Sequence, residues 1–215
     1  MNSSSWEEIQ REIWDCSACG GKPRIQLSIR QQTEALSGQV KLLVVAVAPP
    51  FHQNVFQQVI ARSVTNSPND PLHDPLRQFL EMVFRSSWSN LTAQGLAVLH
   101  AVKCAVIPNE EGFQNPSQEV IDTCVPRHFA QEFIRLKPPV VIALGRAAKR
   151  AVIKVPGCKK PTGLTISGPL EGEHSVRCQD YEFTLIVTKF PRGQGRHRAQ
   201  MDLERAAVRA GVLLG

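Results

Sequence analysis

The sequence predicts an α/β chain, a three-layer α/β/α sandwich built around a central, mainly parallel four-stranded sheet. Two observations carry this. Four short apolar runs, residues 41–48 (KLLVVAVA), 96–102 (LAVLHAV), 140–144 (VVIAL) and 183–187 (FTLIV), read as strands buried on both faces. Helical segments lie between them, and strands alternating with helices build a parallel sheet covered on both sides. The length of 215 residues suits one large domain, residues 1–215, with a cysteine-bearing segment at its N-terminal end.

Each element has its own warrant. A helix is expected from Trp6 to Trp14, with the Ser3–Ser5 run able to cap it. It runs straight into Cys16-Ser-Ala-Cys19-Gly-Gly. The first apolar run stops at Pro49-Pro50. Residues 51–71, rich in Gln, Asn, Ser and Pro, read as a long loop of the kind that carries function. Asp74 to Arg85 is helix-like, with Leu76, Phe79, Leu80 and Val83 on one face. After the second strand a loop is expected from Ala105 to Pro116. Ser117 then opens a helix that carries Cys124 and ends near Leu136. Gly145 marks a strand-to-helix turn, and residues 146–153 make a short helix. The loop KFPRGQGR leads into a last helix from about His197 to Val212. Neither internal repeats nor low-complexity tracts interrupt this order.

The formal charge of +6 favours a polyanionic partner. It is concentrated late in the chain, on Lys189, Arg192, Arg196, Arg198, Arg205 and Arg209. No apolar run reaches the length needed to cross a bilayer, so no membrane partner is expected. The start, MNSSSWEEIQREIW, is polar and acidic, unlike a signal peptide. A cytoplasmic monomer is therefore expected. Thiols stay reduced in that compartment, so the six cysteines read as metal ligands or free thiols before disulfides.

Cys16-x-x-Cys19 has the spacing of a metal clamp, because two thiolates on one tight turn can reach a single centre. Cys104 ends a strand and Cys124 lies early on the following helix, a pair that a strand and its crossover helix can bring together. All-thiolate coordination suits zinc and iron–sulfur alike, and spacing leaves both open. Cys158 and Cys178 flank a Gly/Pro-rich stretch, lack ligand spacing, and read as ordinary thiols.

The order of these motifs resembles the iron–sulfur, thermophile-type branch of the uracil-DNA glycosylase superfamily, with this chain as a divergent member. The segment His100-Ala-Val-Lys-Cys104, Cys124, and the run Leu136-Lys-Pro-Pro-Val-Val-Ile-Ala-Leu-Gly145 carry the resemblance. It implies a DNA N-glycosylase that flips a base out of double- or single-stranded DNA. It also implies a structural 4Fe–4S cluster on Cys16, Cys19, Cys104 and Cys124, pinning loops that touch DNA, with zinc as the alternative occupant.

Three positions depart from the family pattern. Members carry a carboxylate after the first strand that positions the attacking water, and this chain has Val47 within Ala46-Val47-Ala48-Pro49-Pro50. An asparagine that reads the uracil edge is replaced by His100. The histidine of the family's C-terminal His-Pro-Ser loop is replaced by Phe190, in Lys189-Phe190-Pro191-Arg192-Gly193. Val47, Pro49, Phe51, His100 and Phe190 are thus the expected base pocket, with Phe51 or Phe56 able to stack on an extruded base. Lys189, Arg192, Gly193, Arg196 and Arg198 are the expected DNA contacts. His197, Asp70 and Asp74 are the candidate catalytic groups, and His73 is a further water-orienting candidate. The expected activity is hydrolysis of the N-glycosidic bond of a modified, non-uracil base. A bulky modified cytosine in phage DNA is one such class, which would give the protein an antiviral role; a role in DNA repair is the other expectation. The alternative is a catalytically inactive DNA-binding or damage-sensing protein of the same fold.

Overall fold

A computed structural model describes residues 5–30, 38–49, 75–107, 109–110, 115–159, 172–193 and 195–212. Its centre is a sheet to which β2 (Leu42–Ala46), β3 (Leu96–His100), β5 (Val140–Leu144) and β8 (Tyr181–Thr188) contribute four parallel strands. These are the four strands expected from the apolar runs. The sheet is nonetheless six-stranded, in the order β3-β2-β5-β8-β7-β6, because β7 (Gly172–Cys178) and β6 (Cys158–Lys159) add an antiparallel edge. The edge escapes sequence reading because β7 alternates polar and apolar residues with only Val176 and Cys178 buried.

Alternation along the strands divides the core into two layers. Leu43, Val45, Val141, Ala143, Leu185 and Val187 face Phe129, Phe133, Ala148 and Val152 on one side. Leu42, Val44, Ile142, Leu144 and Ile186 face Leu80, Phe84, Leu203 and Ala206 on the other. Burying each such large apolar side chain contributes about 1.5–3 kcal/mol. On the second side lie α2 (Pro75–Phe84), α3 (Trp88–Ala93) and α7 (Gly195–Ala210). On the first lie α6 (Gly145–Ile153) and a continuous helical run made of α4 (Gln118–Cys124), a π-helical segment Val125–Phe129, and α5 (Ala130–Leu136). Pro126 opens the π segment, where its missing N–H weakens ordinary α-helical bonding.

Outside this layer packs α1 (Trp6–Asp15), against α5 and the π segment. A reciprocal capping box starts it: the Glu8 N–H donates to Ser5 Oγ at 3.2 Å, and the Ser5 N–H donates to the Glu8 carboxylate at 2.6 Å. Several expected bounds move. The second strand ends at His100, and residues 101–103 turn into a short strand β4 (Cys104–Val106) that pairs with β1 (Ile25–Arg30). A strand thus begins where a loop from Ala105 was expected. The last helix starts at Gly195, so Arg196, His197 and Arg198 lie on its first turn rather than in a loop.

Cys158 and Cys178 are not ordinary thiols. They face each other in the β6–β7 register and form a disulfide. The pairing is a product of strand register, which a separation of 20 residues does not encode. No helix among the described residues is long and apolar enough to cross a membrane.

Candidate functional site

Four parallel strands end at one edge of the sheet, and their last residues bring most of the departing positions together. The Ala101 N–H donates to the Ala46 carbonyl at 2.9 Å and the Val102 N–H to the Val47 carbonyl at 3.0 Å, so the ends of β2 and β3 are tied side by side. Between β2 and β5 the strand order reverses. Such a switch point leaves a crevice at the carboxyl ends of the strands. Val47 and Gly145 flank it.

The side chains at this edge diverge. Val47 is half-buried and packs into the α6 side of the core, and Pro49 is buried. His100 shares a face with Leu96 and Val98, toward α2 and α3. It is buried, and that burial, reinforced by the positive charges of Lys103 and Arg77, pushes its pKa down to about 3. His100 is therefore a neutral imidazole near neutral pH, with one donor and one acceptor. Arg77, on α2, went unnoticed in the sequence. It is 5% exposed, and its guanidinium lies 4.7 Å from the centroid of the Trp88 ring.

The loop after β8 crosses the same edge. Phe190 is 45% exposed. A side chain on Gly145, where φ is +85°, would place its Cβ 3.7 Å from Phe190 Cβ. A Cβ on Gly195 would come within 2.6 Å of the Phe190 carbonyl, so only glycine lets α7 begin directly beneath the loop. Two hydrogen bonds close the turn, from the Arg192 N–H to the Phe190 carbonyl at 2.7 Å and from the Gly195 N–H to the Arg192 carbonyl at 3.0 Å.

Among the expected DNA contacts, Lys189, Arg192 and Gly193 are exposed. Arg196 donates to Met82 Sδ at 3.1 Å and sits 5.6 Å from the Phe79 ring centroid. Arg198 donates to Asp202 at 3.1 Å. His197 is exposed on the first turn of α7. Phe51, Phe56, Asp70, His73 and Asp74 lie outside the described residues.

On the opposite side of the 100–104 segment, the four remaining cysteines meet. Cys16, Cys19, Cys104 and Cys124 line one cavity, with Lys103, Arg127 and His128 completing much of its wall. Cys16 is the C-cap of α1, and its N–H donates to the Ile13 carbonyl. Lys22, just after Cys19, pairs with Glu119 of α4 and anchors the cysteine turn. Burial pushes the Cys124 thiol up to about 12, and burial together with Cys16 raises Cys19. The Lys103 backbone N–H donates to Cys124 Sγ at 3.4 Å. No three His, Cys, Asp or Glu side chains among the described residues are gathered closely enough to hold a single metal ion. The donor set is four soft sulfurs lining one cavity, chemistry that suits zinc and iron–sulfur alike.

Beside that cavity is a buried polar network absent from the sequence reading. Lys103 and Glu132 form an ion pair at 3% and 0% side-chain exposure. Gln10 Nε2 donates to the other Glu132 oxygen at 3.0 Å, and the Lys103 ammonium lies 5.7 Å from the Phe129 ring centroid. One signal was available: Lys103 sits inside the apolar run Ala101-Val102-Lys103-Cys104-Ala105-Val106, an unusual place for a solvated lysine.

Residues 35–210 match the family model for the uracil DNA glycosylase superfamily. No curated protein matches the chain.

Proposed function

Because this chain belongs to the uracil-DNA glycosylase superfamily, whose members generally hydrolyse N-glycosidic bonds in DNA, we propose that it is a DNA glycosylase for a modified base other than uracil. His100 carries this reading. It is a buried, neutral histidine standing where the family reads uracil with an asparagine. An asparagine side chain offers two donors and an acceptor, whereas neutral imidazole offers one of each, so the complementary base edge is different. The nearby Val47 has no oxygen with which to orient water. Water activation then falls to His197, Asp70 or Asp74, with the attacking oxygen bonding to the sugar C1′ as the base departs. A bulky modified cytosine of phage DNA is the substrate class that best accounts for a rebuilt pocket, and it implies a defensive role. Lys189 and Arg192 would hold the phosphates on either side of the flipped nucleotide.

The four cysteines would hold a 4Fe–4S cluster. Their convergence on one cavity supports this reading, and zinc is the alternative occupant of an all-thiolate set. When bound, the cluster supplies covalent cross-linking of loops near DNA rather than chemistry on the base.

The test is to incubate the protein with uracil-containing DNA and with phage DNAs bearing modified bases, then identify released bases by mass spectrometry. The expected result is release of a modified base with little or no uracil. Loss of one transition-state donor alone typically costs about 100- to 1000-fold in rate. Rapid uracil release would overturn the reading of Val47, His100 and Phe190. Tight DNA binding with no base released from any sample would instead identify a non-catalytic DNA binder.

A further inference from the structure

We propose that Gln10, Lys103 and Glu132 form a buried clamp that positions the four cysteines of the cavity. The inference rests on the reading that those cysteines hold a cluster.

Three chain segments meet at this network, and each carries ligands. Gln10 lies on α1, whose C-cap is Cys16. Lys103 directly precedes Cys104, and its backbone N–H reaches Cys124 Sγ. Glu132 lies on α5, in the same helical run as Cys124. One carboxylate therefore joins all three, accepting a hydrogen bond from Gln10 on one oxygen and ion-paired with Lys103 at the other.

Burial energetics alone do not call for such an arrangement. Desolvating two charges costs several kcal/mol per ion, and well-packed apolar residues often do as well or better. What the Gln10 hydrogen bond adds to the ion pair is direction. Apolar contacts let helices slide, whereas a buried carboxylate hydrogen-bonded to Gln10 and ion-paired with Lys103 ties its neighbours to one place. α1 has a particular need for this. It lies outside the matched residues 35–210 and has 10 residues, too few to hold as an isolated helix in water. Its apolar anchors are Ile9 and Ile13, and Gln10 is the buried polar residue between them.

In this account Lys103 and Glu132 are positioning residues. Lys103→Met and Glu132→Leu singly each strand a buried charge, so the informative variants are the double, Lys103→Met/Glu132→Leu, and Gln10→Leu. Each is purified without oxygen beside the wild type. Iron and acid-labile sulfide per chain, visible circular dichroism, thermal midpoint and the rate of iron loss to a chelator are then measured. The expected result is a thermal midpoint close to wild type with altered visible dichroism. Iron loss should be about 10-fold faster or more, the scale typical of outer-shell partners of metal ligands. Gln10→Leu, which leaves the ion pair intact, should show the same direction and should fold even if the double variant does not. Wild-type dichroism and iron retention in Gln10→Leu, or in a folded double variant, would overturn the clamp and leave the cluster reading standing. A wild-type chain carrying neither iron nor sulfide would remove the cluster reading and the clamp with it.

Discussion

Acidification should destabilise this protein through His100, by an amount that follows from its burial. The unfolded chain binds a proton at His100 with a pKa of about 6.5, whereas in the fold burial, Lys103 and Arg77 hold it at about 3. Because the folded value is depressed, the fold binds fewer protons between those limits. The associated stability is complete above the unfolded value and is lost as pH falls toward the folded one. Integrated from neutrality to about pH 5, the loss from this single group is about 2 kcal/mol. Urea unfolding followed by tryptophan fluorescence measures it. Wild type and His100→Asn would be compared at about pH 7.5 and about pH 5, where asparagine has nothing to titrate. The expected double difference is about 2 kcal/mol, with wild type losing more. Other histidines, such as buried His128, contribute equally to both proteins and cancel. Equal losses in the two proteins would show that His100 is reached by water or paired with an acid, and the neutral-imidazole argument would fail.

Two further outcomes test the DNA face and the sheet edge. Arg192→Ala should weaken binding to all DNA sequences alike and reduce the salt slope by about one unit, measured by fluorescence anisotropy across a salt series. Arg196→Ala should also weaken binding and in addition removes the contacts of Arg196 with Met82 and Phe79. Breaking the Cys158–Cys178 bond, with dithiothreitol or by Cys158→Ala, should cost about 3 kcal/mol in denaturant unfolding, given a loop of that length. Unchanged stability would mean that the bond is not formed in solution.

The legible parts of the fold were those with a strong local period. Val140–Leu144 was recovered to the residue because five apolar residues between Pro139 and Gly145 leave little room for another choice. Ser117 and Ser5 were readable as caps for the same local reason. What failed was nonlocal. β4 is three residues long and exists through its pairing with β1, and α3, at six residues, is too short to show a helical period. The Cys158–Cys178 bond depends on strand register. Spacing made Cys16 and Cys19 readable as a pair, strand-to-helix adjacency did so for Cys104 and Cys124, and the family resemblance joined the two pairs. The Lys103–Glu132 pair was not, because a sequence presents buried and solvated charges in the same letters. Asp70 and Asp74 lie outside the described residues.

The wide π-helical turn has a consequence for how this protein can vary. Cys124 and Glu132 are eight positions apart, which in an unbroken α-helix would set them about 80° apart around the axis. A π turn absorbs one residue, so the pair acts as if seven apart and falls on one face, about 20° from alignment. That shared face is what lets both reach Lys103, one at its backbone and the other at its ammonium. Residues 125–129 thus work as a phase shifter between a ligand and its support. Rewinding those same residues as ordinary α-helix would leave the composition unchanged yet rotate Glu132 away from its partners, whereas deleting one residue with the turn closed to α-helix would keep the pair seven apart and aligned. The match between length and winding, rather than composition, is the constrained property of this stretch.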